Sequence, residues 1–503
     1  MSPKDIEIIE QRQAESEDRL DRSWMPEAGR PVLSEENLHY EVSARTAGID
    51  CGGLGLVRLL VQKLGLAASI NARVKVLRRH LPYRESDHVL NLIYNLMSGG
   101  SCLQDVQARR QDVGYLEALG AEKIPAPSTE GDFLRRFEEP ETVDELMEAF
   151  HEGRVKVWAR QPARFFKQAT IDADGTMAPT QGECKAGIGL SYDGQWGYHP
   201  LVVSLAESNE VLYVLNRPGN RPSHEDAAHY LDRSIALTRK AGFKKVLLRG
   251  DTDFTQTRHL DRWSEQRVNF VFGMNAMRSL VRRAEELPET AWGKLRRKKK
   301  GKRRRRRRAN IKQRLVRQAG YRKLRLVEER VAEFPHQPEA CDRTYRMVVV
   351  RKRVRMERGQ RRLFEEQRYL FYLTNLEPRE ASPARVVLLS NRRCNQENVV
   401  EQLKNGVQAM RMPSDTLESN WAYLAIAAQV WNLKAWLGMV QPHEGFGRQL
   451  MRMEFRGFLR QVIQLPCQIL RQGRRLIYRL LAVNEWTEAF LLGAIWLKRT
   501  RFG

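Results

Sequence analysis

Two short runs constrain this chain more than anything else in it: QATIDADGT, which reaches aspartate at Asp174, and KKVLLRGD, which stops at Asp251. Each is an apolar stretch too short for a helix, and each reads as a buried strand that ends in acid. The text around them completes a pattern. After the first run comes a hairpin-like pair, GLSYDGQWGYHPLVVSLAE and VLYVLNRPG. A helix follows (HEDAAHYLDRSIALTRKAG), then the second acidic strand, a helix near QTRHLDRWSEQ and the strand VNFVFGMN. The order is β-β-β-α-β-α-β, with one acid on the first strand and another just after the fourth.

That order is the order of a ribonuclease H-like core, so the expected class is α/β. The core carries a β-rich insertion and is flanked by α-helical N-terminal and C-terminal regions. Residues 1–45 read as a polar arm. Residues 46–160 read as an α-helical domain, on segments such as GLVRLLVQKLGL and ESDHVLNLIYNLMSGG. Both a helix-turn-helix DNA reader and a packing domain without a reader helix fit this text. The core is expected over 161–275 and again over 386–440, interrupted at 276–385 by a basic insertion with alternating segments such as TYRMVVVRKRVRME. Residues 441–503 read as a basic helical tail.

A second feature lies in NRRCNQENVVEQLKNG, residues 391–406. On a helix, Arg393, Glu397, Glu401 and Lys404 fall on one face. Two carboxylates between two cations are costly to bury unless they meet something charged, and a metal ion bound to phosphate is such a partner. Asp174, Asp251 and Glu397 can converge from distant positions, and three carboxylates with water and phosphate suffice for Mg²⁺. Oxygen ligands without His or Cys are the set a hard cation selects. Phosphoryl transfer on nucleic acid uses two such ions about 3.5–4 Å apart. Asp172 and Asp253 are near neighbours with the same claim, Asp172 because residues two apart on a strand face the same way, and Glu401 is the alternate one helical turn beyond Glu397. The plainer alternatives are turn or cap aspartates and a solvated helix whose first pair is Arg393 with Glu397.

The formal charge of +25, from 86 Lys plus Arg against 61 Asp plus Glu, argues for a polyanionic partner. Between Lys294 and Arg308 only Leu295 and Gly301 are not basic. Lys298, Lys299, Arg303, Arg304, Arg305 and Arg306 in that run suit phosphate contacts that carry no sequence information. Trp292 beside the run could stack on an unpaired base, or simply pack. The acidic, polar N-terminus is not a secretory or transit signal, and the apolar segment WAYLAIAAQVWNLKAWLGMV carries Gln429, Asn432 and Lys434, so it reads as a buried helix and not a membrane span. Six scattered cysteines indicate neither a disulfide framework nor a zinc ribbon, with a reduced, cytosolic setting as the default.

With these residues in view, the chain resembles the DDE insertion-sequence transposases, in the bacterial branch with a Tyr-Arg-Glu-Lys signature. ADGT, RGDTDF and NRRCNQENVVEQLKNG are similar to the family's three acidic motifs, and Arg393, Glu397 and Lys404 keep the signature's spacing. Ser390 stands where the signature has Tyr. The resemblance implies that Asp174, Asp251 and Glu397 are catalytic metal ligands and that Arg393 and Lys404 contact DNA. It implies two Mg²⁺ ions, with Mn²⁺ as a substitute. The implied activity is cleavage at the terminal inverted repeats of a mobile element, then joining of its 3′-hydroxyl ends to target DNA. The partners implied are double-stranded DNA and a second copy of the chain, in a bacterial cytoplasm at the nucleoid. Two rival readings share most of these residues: a metal-dependent nuclease that does not join ends, and a non-catalytic DNA-binding protein derived from such an enzyme.

Overall fold

The computed structural model describes residues 1–21, 38–40, 42, 46–296, 310–358 and 361–502. Its centre is a nine-stranded sheet built from β1 (Ala169–Gly175), β2 (Leu201–Leu205), β3 (Glu210–Leu215), β4 (Val246–Gly250), β5 (Val268–Met274), β6 (Gly293–Lys294), β7 (Arg322–His336), β8 (Tyr345–Arg358) and β9 (Arg361–Thr374). The spatial order is β6-β7-β8-β9-β5-β4-β1-β2-β3. β1, β4 and β5 run parallel, with Asp172 level with Arg249 and Gly250 level with Phe272. β2 pairs antiparallel with β1 and with β3. Every residue of β2, β3 and β4 is buried, which explains why these strands read as continuous apolar runs rather than as alternation.

The helix Ala227–Lys240 makes the crossover from β3 to β4, and Leu260–Glu265 makes the one from β4 to β5. Parallel neighbours present their C-terminal ends at the same sheet edge, so the topology alone sets Asp174 and Asp251 side by side, about one strand spacing of 4.8 Å apart in the sheet.

The long strands β7, β8 and β9 do not form a separate sheet. β9 pairs antiparallel with β5, Phe371 opposite Met274 and Thr374 opposite Val271, so the basic segment extends the central sheet. Some of its charges pair within it: Arg351 forks Glu289 at 2.7 and 2.9 Å, and Arg355 bonds Glu365 at 2.6 and 2.8 Å. Lys298, Lys299 and Arg303, Arg304, Arg305 and Arg306 lie outside the described residues.

The helix Leu417–Met439 seals the β3 edge of the sheet. Thr416 caps its start by accepting from the Ser419 amide, and only three of its 23 residues are not buried. Polar groups fasten it. Trp421 Nε1 donates to the Val214 carbonyl at 2.6 Å, and Trp431 Nε1 to that of Asn209 at 2.7 Å. At its far end Glu210, fully buried, accepts from Arg154 Nε at 3.0 Å, Trp158 Nε1 at 2.8 Å and Trp436 Nε1 at 2.6 Å. That carboxylate ties the helix Pro140–Trp158, strand β3 and the sealing helix into one unit, because a buried charge must gather several donors. Among the described residues no single helix is long and apolar enough to cross a membrane.

The two ends of the chain differ from the sequence reading. Within the expected polar arm, Pro3–Asp21 is a helix, and Arg12 and Gln13 donate to the carbonyls of Leu481 and Asn484. Within the expected helical tail, Cys467–Gln472 and Arg475–Leu480 form an antiparallel hairpin, with Ala47–Ile49 as a third strand. Alternation at the start of CQILRQ, the β-branched and aromatic residues of RLIYRL, and Gly473 at φ +57° in the turn favour strands over helix. All six cysteines are free.

Candidate active site

Asp174 sits at the end of β1, and Asp251 immediately follows β4. Between them lies one guanidinium. Arg393 Nη1 is 3.1 Å from Asp174 Oδ2, and its Nη2 is 3.5 Å from Asp251 Oδ2. Nη1 is buried and makes no hydrogen bond, so the contact is one of charge more than of directed bonding. The Arg393–Glu397 pair expected on a plain helix is therefore not formed. Arg393 is the N-cap of the helix Cys394–Glu401, and two carboxylates from the sheet edge outweigh one exposed carboxylate a turn away.

The four-residue stripe is also not a single face. Glu397 and Glu401 are exposed, Glu401 accepts from Asn405 Nδ2 at 2.5 Å, and Gln402–Gly406 is a π-helical turn. That wider turn brings Lys404 round to a half-buried place near Asp174. Burial lowers the Lys404 pKa, while the charges of Glu401 and Asp174 oppose the shift.

The electrostatics mark the same spot. Burial raises the Asp174 carboxyl to about 6; Arg393 opposes that shift, and the charges of Asp251 and Glu397 add to it. Burial raises Asp251 as well, again against Arg393. The charges of the other two acids thus both act on Asp174, although among the described residues no three His, Cys, Asp or Glu side chains stand close enough to hold a metal ion together. The donor chemistry nonetheless fits a hard divalent cation: the ligands are carboxylate oxygens, and two of them already share a positive charge, that of Arg393.

The neighbours resolve differently. Asp172 faces the same way as Asp174 but is fully buried and forked by Arg249, at 2.7 Å to Nε and 2.6 Å to Nη2. Both its oxygens are taken, so it is an anchor of the strands rather than a free ligand. Asp253 is exposed in the turn that follows Asp251, whose Oδ1 accepts from the Asp253 amide at 3.0 Å. Trp292 is only 6% exposed, with the Arg351 guanidinium 4.3 Å from its ring centre, so it packs rather than stacks on a base.

Three residues escaped the sequence reading. Arg249 carried a signal: a lone cation inside the apolar run VLLRG needs a buried counter-ion, and a neighbouring strand is where one would be found. His199 lies against Gly175, where a Cβ would meet its Cε1 at 2.8 Å, so only glycine lets the ring come so close to the strand end after Asp174. Arg217 donates to four carbonyls, those of His199, Pro222, Ser223 and Glu225, and so shapes the loop beside that ring. No local signal announces either of the last two.

The family model described as transposase DDE domain group 1 matches residues 37–501. No curated protein matches the chain. Among solved structures, the cryo-EM structure of a piggyBac transposase synaptic complex with hairpin DNA is similar at 11% identity, covering 83% of this chain and 84% of that one. Its TM-score is 0.35, too low to carry any argument about this chain.

Proposed function

This chain belongs to the transposase DDE domain group 1 family, and from that premise we propose that it cuts DNA at the terminal inverted repeats of an insertion sequence and joins the freed 3′-hydroxyl ends to target DNA. The strand order β3-β2-β1-β4-β5, with its two crossovers, supports a ribonuclease H-like core over 161–275 and 386–440. The long strands of 276–385 are then an insertion, and 46–160 is the candidate DNA-binding region. The bacterial branch with the Tyr-Arg-Glu-Lys signature is supported by the spacing of Arg393, Glu397 and Lys404.

The observation that carries the reading is the meeting of Asp174 and Asp251 at one sheet edge, around one shared cation and beside the helix that bears Glu397. Asp174, Asp251 and Glu397 would hold Mg²⁺, as two ions, with Mn²⁺ able to replace it. Bound there, such ions activate the attacking oxygen and stabilise the leaving one. The protein's own groups have simpler tasks. The strand ends position Asp174 and Asp251 without further conformational cost, since β1 and β4 are fixed by pairing on both sides. Arg393 and Lys404 would hold a phosphate against the carboxylates, Arg by a fork and Lys as a point charge. The basic run 294–308 would grip DNA backbone without reading sequence. Two copies acting together, in a bacterial cytoplasm at the nucleoid, complete the reading.

The test is a cleavage and strand-transfer assay on labelled element-end DNA with and without Mg²⁺, comparing wild type with Asp251→Asn and Glu397→Gln. Metal-dependent cutting and joining, lost in both variants while DNA binding persists, is the expected result. If Glu397→Gln cuts normally and Glu401→Gln does not, the third ligand lies one helical turn on. Cutting without joining would make the protein a nuclease.

A further inference from the structure

We infer that Arg393 is an exchangeable counter-ion: in the DNA-free protein its guanidinium holds the place between Asp174 and Asp251 that a divalent cation takes, and DNA phosphate draws it away. The inference rests on the assignment of those two aspartates as metal ligands.

The geometry distinguishes this arginine from the one beside it. Arg249 meets Asp172 as a fork, two short bonds to one carboxylate, with its third nitrogen donating to the Leu389 carbonyl at 2.9 Å. Both partners are almost fully buried, so that pair is permanent. Arg393 instead reaches one nitrogen to each of two carboxylates, at 3.1 and 3.5 Å, without a hydrogen bond from Nη1. It bridges, as a metal ion bridges, and it is held by charge alone. Its backbone lies at the N-cap of a short helix, in the turn after Pro383–Asn391, and the side chain is 17% exposed, so an outward path exists.

A guanidinium and a divalent cation cannot both sit between the same two carboxylates, since both need the same facing oxygens and their like charges repel at that separation. Metal must therefore displace Arg393. A phosphate offers the displaced guanidinium a better partner, because a phosphate can accept its fork bidentately whereas the two aspartates cannot. Among the described residues Lys404 makes no ion pair with these carboxylates and does not compete for the same place, although its charge acts on Asp174. Metal affinity and DNA affinity are then linked through one side chain, and by reciprocity each raises the other by the same factor. Without DNA the site stays neutralised and binds metal weakly; with DNA it binds metal more tightly.

The test measures Mn²⁺ binding to the full chain by titration calorimetry, free of any reaction. Arg393→Gln in the absence of DNA should bind Mn²⁺ about tenfold more tightly than wild type, within the usual range of such couplings. Saturation with random-sequence duplex DNA at low salt should tighten Mn²⁺ binding in wild type and leave Arg393→Gln unchanged. Equal or weaker Mn²⁺ binding by Arg393→Gln, or the same DNA effect in both proteins, overturns the inference. Asp251→Asn separates the two levels. If it binds Mn²⁺ as wild type does, the metal assignment itself has failed; if it loses Mn²⁺ while Arg393→Gln gains nothing, only the counter-ion role has failed. Should Arg393→Gln not fold in metal-free buffer, Arg393→Lys carries the test: lysine keeps the charge but cannot bridge, so its Mn²⁺ affinity should fall between the other two, and affinity at or below wild type refutes the idea.

Discussion

Asp172 and Asp174 stand two residues apart on one strand, face the same way, and should fail in opposite fashions when changed. Asp172 is fully buried against Arg249, itself 3% exposed, through bonds of 2.7 and 2.6 Å. Asp172→Ala leaves a buried guanidinium with only the Leu389 carbonyl, and breaking such a pair costs about 3–5 kcal/mol. Asp174→Asn disturbs a looser pair at the sheet edge, worth about 1 kcal/mol or less, and removes a carboxyl that burial already disfavours in its charged form. Asp172→Ala should therefore unfold at a clearly lower urea concentration, with an unchanged slope, whereas Asp174→Asn at neutral pH should unfold no earlier than wild type yet cut no DNA. The double variant Asp172→Ala/Arg249→Met should recover much of the lost stability, since no unpaired charge remains inside. If Asp172→Ala proves as stable as wild type and inactive, Asp172 belongs to the reacting site and the division of labour between the two acids is wrong.

Three further outcomes rest on the same structure. Because burial raises Asp174 from an ordinary 3.8 to about 6, the metal-free folded protein keeps a proton that the unfolded chain has lost between those values. Its contribution to stability therefore falls as pH rises from about 4 to 6, by up to about 3 kcal/mol, and the stability difference between wild type and Asp174→Asn should change over that window in urea titrations, remaining flat above it. Lys434 is fully buried, 4.0 Å from the Trp431 ring centre, and burial lowers its pKa to about 7. Its protonation opposes folding, so stability should rise from about pH 7 towards 10, and Lys434→Met should remove that slope and stabilise the protein at pH 6 by about 3–5 kcal/mol, read from unfolding midpoints. Gly175→Ala would press a methyl onto His199 at 2.8 Å and Ser223 Cβ at 3.2 Å, and should abolish cleavage while circular dichroism shows the fold intact.

What the sequence discloses and what it hides divide along a physical line. Patterns local to a segment are legible. Buried strands such as VLLRG announce themselves as apolar runs, the alternating segments of 322–374 form three long strands, and Leu417–Met439 is a buried helix. The tail reads as helix because the six-residue strands Cys467–Gln472 and Arg475–Leu480 are too short to outweigh helical text on either side. Charge pairing is the real gap. Spacing on a helix offers Glu397 as the partner of Arg393, and the fold supplies Asp174 and Asp251, 219 and 142 residues away (393 minus 174, 393 minus 251). A local pair on an exposed helix is worth about 0.3–0.5 kcal/mol, too little to hold a long side chain that two half-buried carboxylates can reach. The same logic run backwards finds Asp172. A strand that buries Arg249 must find it an anion, and Asp172 is the acid on the other buried run at the matching depth. By that rule the two acids in IDADG separate once the register of β1 against β4 is fixed: one is committed to Arg249, and the other, at the strand's open end, is left for chemistry.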